Sequence, residues 1–369
     1  MAEQQNPPTW LMMLPLLGLG ALLAYQYFAP KPPAPPVSAS APASAPASPT
    51  QTPTPATVSP SDAKSRTELE KRYELENERF VAAFTNLNTA MVSLKVKGDR
   101  YLDEDGEPHE LVTTDKERYL PLAPELSGVA VPADAAWSVA EASAERIRFT
   151  WAGDGVSITR TWELADPPYQ LRSAIEVRNE AESSKSVGLG ITSAHYVRRE
   201  DEKGGFLARP SPSLSHGICQ YGDETIREDR DGLLSEDETR PTQPHSYGPG
   251  VEFVSLSSVY FAIIAAPEGD TAERCDLLST DRGGTLDEPD GSLFESRLAY
   301  APRQLGPGET ATFRTAVYAG PKDYDALEAF GHGSTNVIDL GWFSFIARGM
   351  SWLLRGIYGF VGNWGFAIV

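Results

Sequence analysis

Cysteine, histidine and basic side chains are scarce in this sequence, and each shortage narrows what it can do. There are two cysteines, Cys219 and Cys275. In a periplasm they can form a disulfide, and elsewhere so sparse a usage fits two unpaired buried thiols; composition leaves both open. The five histidines, His109, His195, His216, His245 and His332, lie far apart and mostly in turn-like contexts. His216 and Cys219 offer two metal ligands where a structural site needs about four, so no metal is expected. Lys and Arg number 32 against 51 Asp and Glu, a formal net charge of −19. Tracking nucleic-acid phosphates needs a basic face, and none is visible, so no nucleic acid is expected.

Catalytic signatures are missing as well. The chain has no G-x-S-x-G, no H-E-x-x-H, no P-loop and no G-x-G-x-x-G opening a helix. Gly232 and Glu238 have the spacing of a calcium loop, but Arg227 occupies the first ligand position, where a carboxylate is required, and no amphipathic helices flank it. An acidic surface loop is expected there, and a plain turn at Asp103–Gly106. Sugar isomerisation needs a paired acid and base in a cleft. His195 and carboxylates near the later strands are nominees, and nothing in their spacing singles them out. The chain is therefore not expected to be an enzyme or to hold a cofactor.

What is present begins with a polar tail, residues 1–9, and a run from Trp10 to Phe28 without a charge. At 1.5 Å per residue that run covers roughly 28 Å, enough to cross a bilayer core. Trp10 at one end and Tyr25 and Tyr27 at the other sit where interfacial aromatics belong. Its n-region has no Lys or Arg, and no small-x-small cleavage site follows, so an uncleaved anchor helix is expected rather than a signal peptide. Residues 30–61 are almost wholly Ala, Pro, Ser and Thr, a disordered, semi-rigid spacer that cannot bury enough apolar surface to fold. The charged run from Asp62 to Glu78 reads as a solvated lead-in or a short helix.

From Arg79 the period becomes two. Strands are expected at 80–84, 91–96, 147–151 and 156–158, with Ala152-Gly153-Asp154-Gly155 as the hairpin turn. Tyr169, Leu171, Ile175 and Val177 alternate with Gln170, Arg172, Glu176 and Arg178, a strand with one wet face. Val187, Leu189 and Ile191 repeat the pattern, and 251–256, 260–266, 293–300 and 310–318 continue it. A large antiparallel β-sandwich over 62–320 follows.

The end of the chain differs. A short helix and Gly-rich turn are expected over 321–335, then a helix over 339–360. On a helical wheel Ser344, Arg348, Ser351 and Arg355 form one narrow polar stripe, and nearly everything else there is apolar. Spanning would bury two arginines, at roughly 2.5–3.5 kcal/mol each. The pattern fits a helix lying in the membrane interface, with Trp342, Phe343, Phe345, Trp352 and Leu353 toward the acyl boundary and the arginines toward headgroups. Residues 361–369, with Trp364, read as the start of a second transmembrane helix that is cut short.

The string GPKDYD, followed by GHG, VIDLGWFSFIA and GNWGFAIV, resembles the YidC family of bacterial inner-membrane protein insertases, at the junction between periplasmic domain and membrane core. TRTWEL, PPYQLRSAIEVRN and SSVYFAIIAAP resemble strands of its periplasmic domain. The resemblance implies a β-supersandwich, galactose-mutarotase-like, closed by C-terminal helices. It implies an inner-membrane location with a large periplasmic domain, multi-pass in the full-length protein. It also implies a cytoplasmic N-terminus. The implied partners are nascent inner-membrane proteins, the lipid bilayer, and the Sec translocon with its accessory subunits. The family's groove arginine is expected in the second membrane helix, past Val369, so this stretch is expected to support insertion without carrying it out. The alternative is a membrane-tethered periplasmic carbohydrate-binding or sugar-isomerising module.

Overall fold

A computed structural model describes the chain from Leu69 onward, apart from residues 104, 115–118, 133–134, 200–214, 235–241, 283–289, 340–348, 351–352, 355, 360–361 and 363–369. The expected anchor with Trp10, Tyr25 and Tyr27, the spacer, and most of the C-terminal apolar stretch lie outside the described residues. All described residues belong to one compact unit, Val58–Val369. Among them no helix is long and apolar enough to cross a membrane.

Two sheets build this unit. The first has four antiparallel strands paired in chain order: β1 (Arg72–Glu76), β2 (Phe80–Thr85), β3 (Met91–Val96) and β4 (His109–Glu110). The second, of 15 strands, starts with β5 (Ala123–Ser127), β6 (Ser138–Ala142), β7 (Arg146–Gly153), β8 (Val156–Leu164), β9 (Gln170–Asn179) and β10 (Lys185–Arg198). It continues through β11 (His216–Tyr221), β12 (Glu224–Glu228), β13 (His245–Tyr247), β14 (Val251–Ser257) and β15 (Phe261–Pro267). It ends with β16 (Ala272–Arg282), β17 (Gly291–Tyr300), β18 (Arg303–Leu305) and β19 (Thr310–Pro321). The spatial order is β18-β10-β17-β16-β14-β15-β19-β9-β8-β7-β6, with β11 and β12 branching from β14, β13 from β16 and β5 from β10.

The path turns over where β14 meets β16 at one pair, Val251↔Ala272. On either side of that fold the sheet makes two layers, and β11 packs face to face on β16: a Cβ on Gly217 would stand 3.1 Å from the Leu277 side chain. This is the mainly antiparallel sandwich that the alternation implies. Leu171, Ser173, Ile175 and Val177 of β9 are buried, whereas Arg172, Glu176 and Arg178 are exposed. The inner residues line up with Ile158 and Trp162 of β8 and with Phe313 and Val317 of β19. Burying each such side chain contributes about 1.5–3 kcal/mol, so the period of two selects the strand. The β7–β8 turn needs two left-handed residues, and Asp154 (φ 48°) and Gly155 (φ 67°) supply them.

The small sheet lies on the inner face of β7 and β8. Phe84 packs at a tilt on Trp162 with ring centroids 4.5 Å apart, and Tyr73 meets Phe149 edge-on at 5.8 Å. Here the charged lead-in departs from expectation. Residues 72–76 form β1, not a solvated run or helix, because Leu75 is fully buried beside β2 while the flanking glutamates stay wet. The Asp229–Gly232 part of the calcium-like loop is a short helix, α1 (Arg230–Leu233), capped by the Asp229 side chain on Gly232 N–H. The predicted helix after β19 is α2 (Tyr324–Phe330), with Asp323 Oδ1 accepting from Ala326 N–H at 3.0 Å.

Candidate functional site

Strand register sorts the residues near the end of the domain onto two faces. His216, Ser257, Ala262 and Gly320 form one cross-strand row over β11, β14, β15 and β19. Ile218, Ser255, Ile264 and Tyr318 form the next, with Arg227 of β12 opposite Ile218. Cross-strand partners share a face and successive residues alternate. These rows therefore line the outer face, opposite the Cys219–Val254–Ala265–Val317 row.

The segment after β19 folds back over this outer face. α2 buries Ala326, Leu327 and Phe330, and Phe330 lies 5.8 Å from the Tyr318 ring. Gly331 (φ 78°) ends the helix in a conformation other residues resist, and Ser334 Oγ donates to the Leu327 carbonyl at 2.6 Å. Arg227 Nη2 then donates to the Asn336 carbonyl at 2.9 Å and to that of Val337 at 3.3 Å, while Asn336 Nδ2 donates to Gln220 Oε1 at 3.2 Å. Val337 is fully buried, and Asp339 Oδ2 stands 3.9 Å from Arg227 Nε. The backbone is thus pinned to the sandwich up to the start of the aromatic stretch. Beyond it, residues 349–350, 353–354 and 356–359 are helical, with Met350 55%, Leu353 52% and Tyr358 36% exposed.

Of the residues expected at a membrane interface, Leu353 is described, and it is exposed; Trp342, Phe343, Phe345, Arg348, Trp352, Arg355 and Trp364 lie outside the described residues. Arg227, which disqualified the calcium loop, turns out to hold the junction. Nothing in the sequence assigns it that role, because the role depends on strands distant in sequence.

Four of the histidines, His109, His195, His216 and His245, sit in strands rather than in the turns their neighbours suggest, and only His332 lies in one. His109 and His195 help to line a cavity of about 390 Å³ with Glu110, Thr113, Ser193 and Phe261. Its one carboxylate is engaged elsewhere: Glu110 Oε1 accepts from Leu94 N–H at 2.7 Å and Val112 N–H at 3.0 Å, and Oε2 accepts from Ser93. His109 stacks flat on Phe261 at 4.6 Å. Among the described residues, then, the cavity does not present the uncommitted carboxylate that sugar isomerisation would pair with a base.

His195 is held neutral. Thr113 Oγ1 accepts from Tyr196 N–H at 2.8 Å and is hydrogen-bonded to His195 Nδ1, 3.1 Å away. Burial pushes the imidazole down to about 4. An unfolded chain takes up a proton near pH 6.5 that the folded one refuses, so this contribution to stability is complete above about pH 6.5 and is lost as pH falls toward 4. The part of the ring open to the cavity reduces the loss to about 2 kcal/mol. Unfolding temperatures of wild type and His195→Gln, compared between those pH values, should converge as the pH drops; parallel curves would refute the assignment.

Cys219 and Cys275 are both fully buried and face each other across the two layers, with Cα atoms 6.2 Å apart.

Residues 72–353 match the family described as the YidC periplasmic domain. A membrane protein insertase YidC from Anaeromyxobacter sp. (strain Fw109-5) is 27% identical over 316 residues, which cover 81% of this chain and 53% of that one. Another, from Marinobacter nauticus, is 29% identical over 58% of this chain and 35% of its own. The chain thus spans about half the length of the first of these relatives. A solved galactose mutarotase-like protein from Lactobacillus casei ATCC 334 is similar at a TM-score of 0.46 and 12% identity, over 68% of this chain and 100% of that one. Since the family match runs from β1 through the pinned junction and into the helical residues after it, the chain belongs to the YidC family, through its periplasmic domain.

Proposed function

We propose that this chain is the periplasmic and membrane-entry portion of an inner-membrane protein insertase, supporting insertion, folding and assembly of nascent membrane proteins alone or with the Sec translocon. The observation that carries the reading is the junction. A sandwich whose 390 Å³ cavity shows no uncommitted carboxylate among the described residues holds residues 323–339 on its outer face, and the helical residues after them leave Met350 and Leu353 exposed. Such a device fixes the depth and angle at which the domain stands on a bilayer. Trp342, Phe343, Phe345, Trp352 and Leu353 would enter the acyl boundary, with Arg348 and Arg355 among headgroups. Trp10, Tyr25 and Tyr27 would anchor the other end. Cys219 and Cys275 would be oxidised to a disulfide in the periplasm.

Fragment 58–369 tests the membrane step. Met350 and Leu353 each contribute about 1.5–3 kcal/mol when buried, so Met350→Glu with Leu353→Glu should weaken its binding to neutral liposomes about a hundredfold. Flotation unchanged by the pair would refute the interfacial role. A photo-crosslinker at position 353 of the full chain should capture nascent membrane proteins during their synthesis. Saturable sugar binding with no such crosslinks would favour the carbohydrate module instead.

A further inference from the structure

The row that closes the outer face gathers cations in an otherwise acidic chain. Lys322 follows Pro321 at the end of β19, and its N–H donates to the Tyr260 carbonyl at 2.7 Å, extending the β15–β19 ladder by one pair. By alternation its side chain shares the face of Gly320, Ala262, Ser257 and His216. Gly320 is small because the Tyr169 side chain packs over it, where a Cβ would stand 2.7 Å from the ring. Arg227 stands on the same face one row inward.

The ammonium is half-buried and has no ion pair or hydrogen bond among the described residues, whereas Arg227 has Asp339 within 4 Å. Burial first, and then Arg227, pulls Lys322 down to about 8, with Asp339 opposing. Burial and the charges of Arg227 and Lys322 likewise hold His216 below its ordinary range, with Asp229 and Asp339 opposing. The Ser257 hydroxyl, 3% exposed and in the row beside His216, has no hydrogen-bond partner among the described residues. Tyr260, next to Lys322, is 60% exposed. A cationic patch with one exposed aromatic, at the exit toward lipid, has the composition of a membrane-interface anchor.

We propose that Lys322, on the face it shares with Arg227 and His216, seats the phosphate of an anionic phospholipid headgroup at the neck of the domain. This rests on the reading of the junction as membrane-facing. Asp339 is taken up by Arg227, so the phosphate supplies Lys322 with the ion-pair partner it does not have among the described residues, and Tyr260 rests among the neighbouring headgroups. The helix after Asp339 would then set depth, and this seat would give the attachment its preference for anionic lipid.

The test uses the full chain in non-ionic detergent. Acetylation of Lys322 is followed by mass spectrometry against dihexanoyl phosphatidylglycerol, against dihexanoyl phosphatidylcholine, and against inorganic phosphate. Phosphatidylglycerol at ten times its Kd should slow modification about tenfold and raise the unfolding temperature. Lys322→Met should lose that rise and Lys322→Arg should keep it. Protection by inorganic phosphate alone would move the site to a free anion and overturn the lipid assignment, as would equal protection by phosphatidylcholine or none by any. The liposome experiment on Met350 and Leu353 is independent of this charge. Binding to neutral liposomes without protection of Lys322 would sink this inference and leave the membrane-facing reading in place.

Discussion

Replacing Arg160 with alanine should lower the unfolding temperature of the sandwich by roughly 10 °C, the equivalent of about 4 kcal/mol in a domain of this size. Arg160 is completely buried in the middle of β8, yet no carboxylate partners it in the described structure. Its guanidinium donates instead to the Thr89 carbonyl and hydroxyl, both at 3.1 Å, to the Leu122 carbonyl at 2.7 Å and to Ser173 Oγ at 3.2 Å. It also lies over the Trp162 ring at 4.3 Å. Thr89 (φ 60°) and Leu122 (φ 60°) are in the left-handed region, where a β-branched or bulky residue costs about 1–2 kcal/mol. Their carbonyls point into the core, and Trp162 Nε1 adds a second bond to Thr89 O at 3.1 Å. The arginine therefore ties the strained β2–β3 loop of the first sheet, and the strained residue that leads into β5, to β8 of the large one.

Burial draws its pKa down to about 9, so at neutral pH it stays charged and donates through several N–H groups at once. Alanine would leave the Leu122 carbonyl without its donor and open a cavity, both named routes to large destabilisation. Arg160→Met restores volume and not the hydrogen bonds, and should recover less than half the loss. Arg160→Lys, with one ammonium for acceptors on several sides, should fall between. Thermal and urea unfolding of the four proteins decide it. If the methionine variant unfolds within about 2 °C of wild type, the hydrogen bonds carry little and packing alone explains the site.

Arg160 also shows where sequence reading stops. Val156, Ile158, Arg160 and Trp162 alternate with Ser157, Thr159 and Thr161, and only the surrounding loops reveal that the arginine belongs to the buried set. Where period and turn chemistry agree, as in β9 and the Asp154–Gly155 hairpin, the fold was legible from residue types. The short helix after β19 was legible from its polar start and the Gly-rich turn behind it, though its Asp323 cap was not. β1 was not, because a single buried Leu75 among glutamates carries no period. β16 was equally hidden: no strand is expected between 266 and 293, where Glu273, Arg274, Asp276 and Asp281 obscure the period, and it is a strand because β17 and β13 pair with it. The junction was half legible. The greasy tail declared itself through aromatics and two arginines, but Arg227 and Lys322 are 95 positions apart and reach one face only through the pairing of β11, β14, β15 and β19.

Oxidised Cys219 and Cys275 should raise stability by about 4 kcal/mol, because the bond would close a loop of 56 residues in the unfolded chain. The two positions lie on β11 and β16, in different layers, and their Cα separation of 6.2 Å is within the range a disulfide spans without moving the backbone. The sandwich otherwise joins these layers at Val251↔Ala272, so a covalent tie beside that fold would hold them against opening. A thermodynamic cycle separates a bond from two buried thiols. For a bond, Cys219→Ala, Cys275→Ala and the double variant all lose the same roughly 10 °C, since either substitution removes the whole crosslink. For independent thiols each loss is a small cavity term and the double variant shows their sum. Reductant adds a second axis: it should bring wild type down to the level of the double variant and leave that variant unmoved. A wild-type protein indifferent to reductant, with additive single variants, would place the two sulfurs side by side as thiols and remove the covalent tie from the account of this domain.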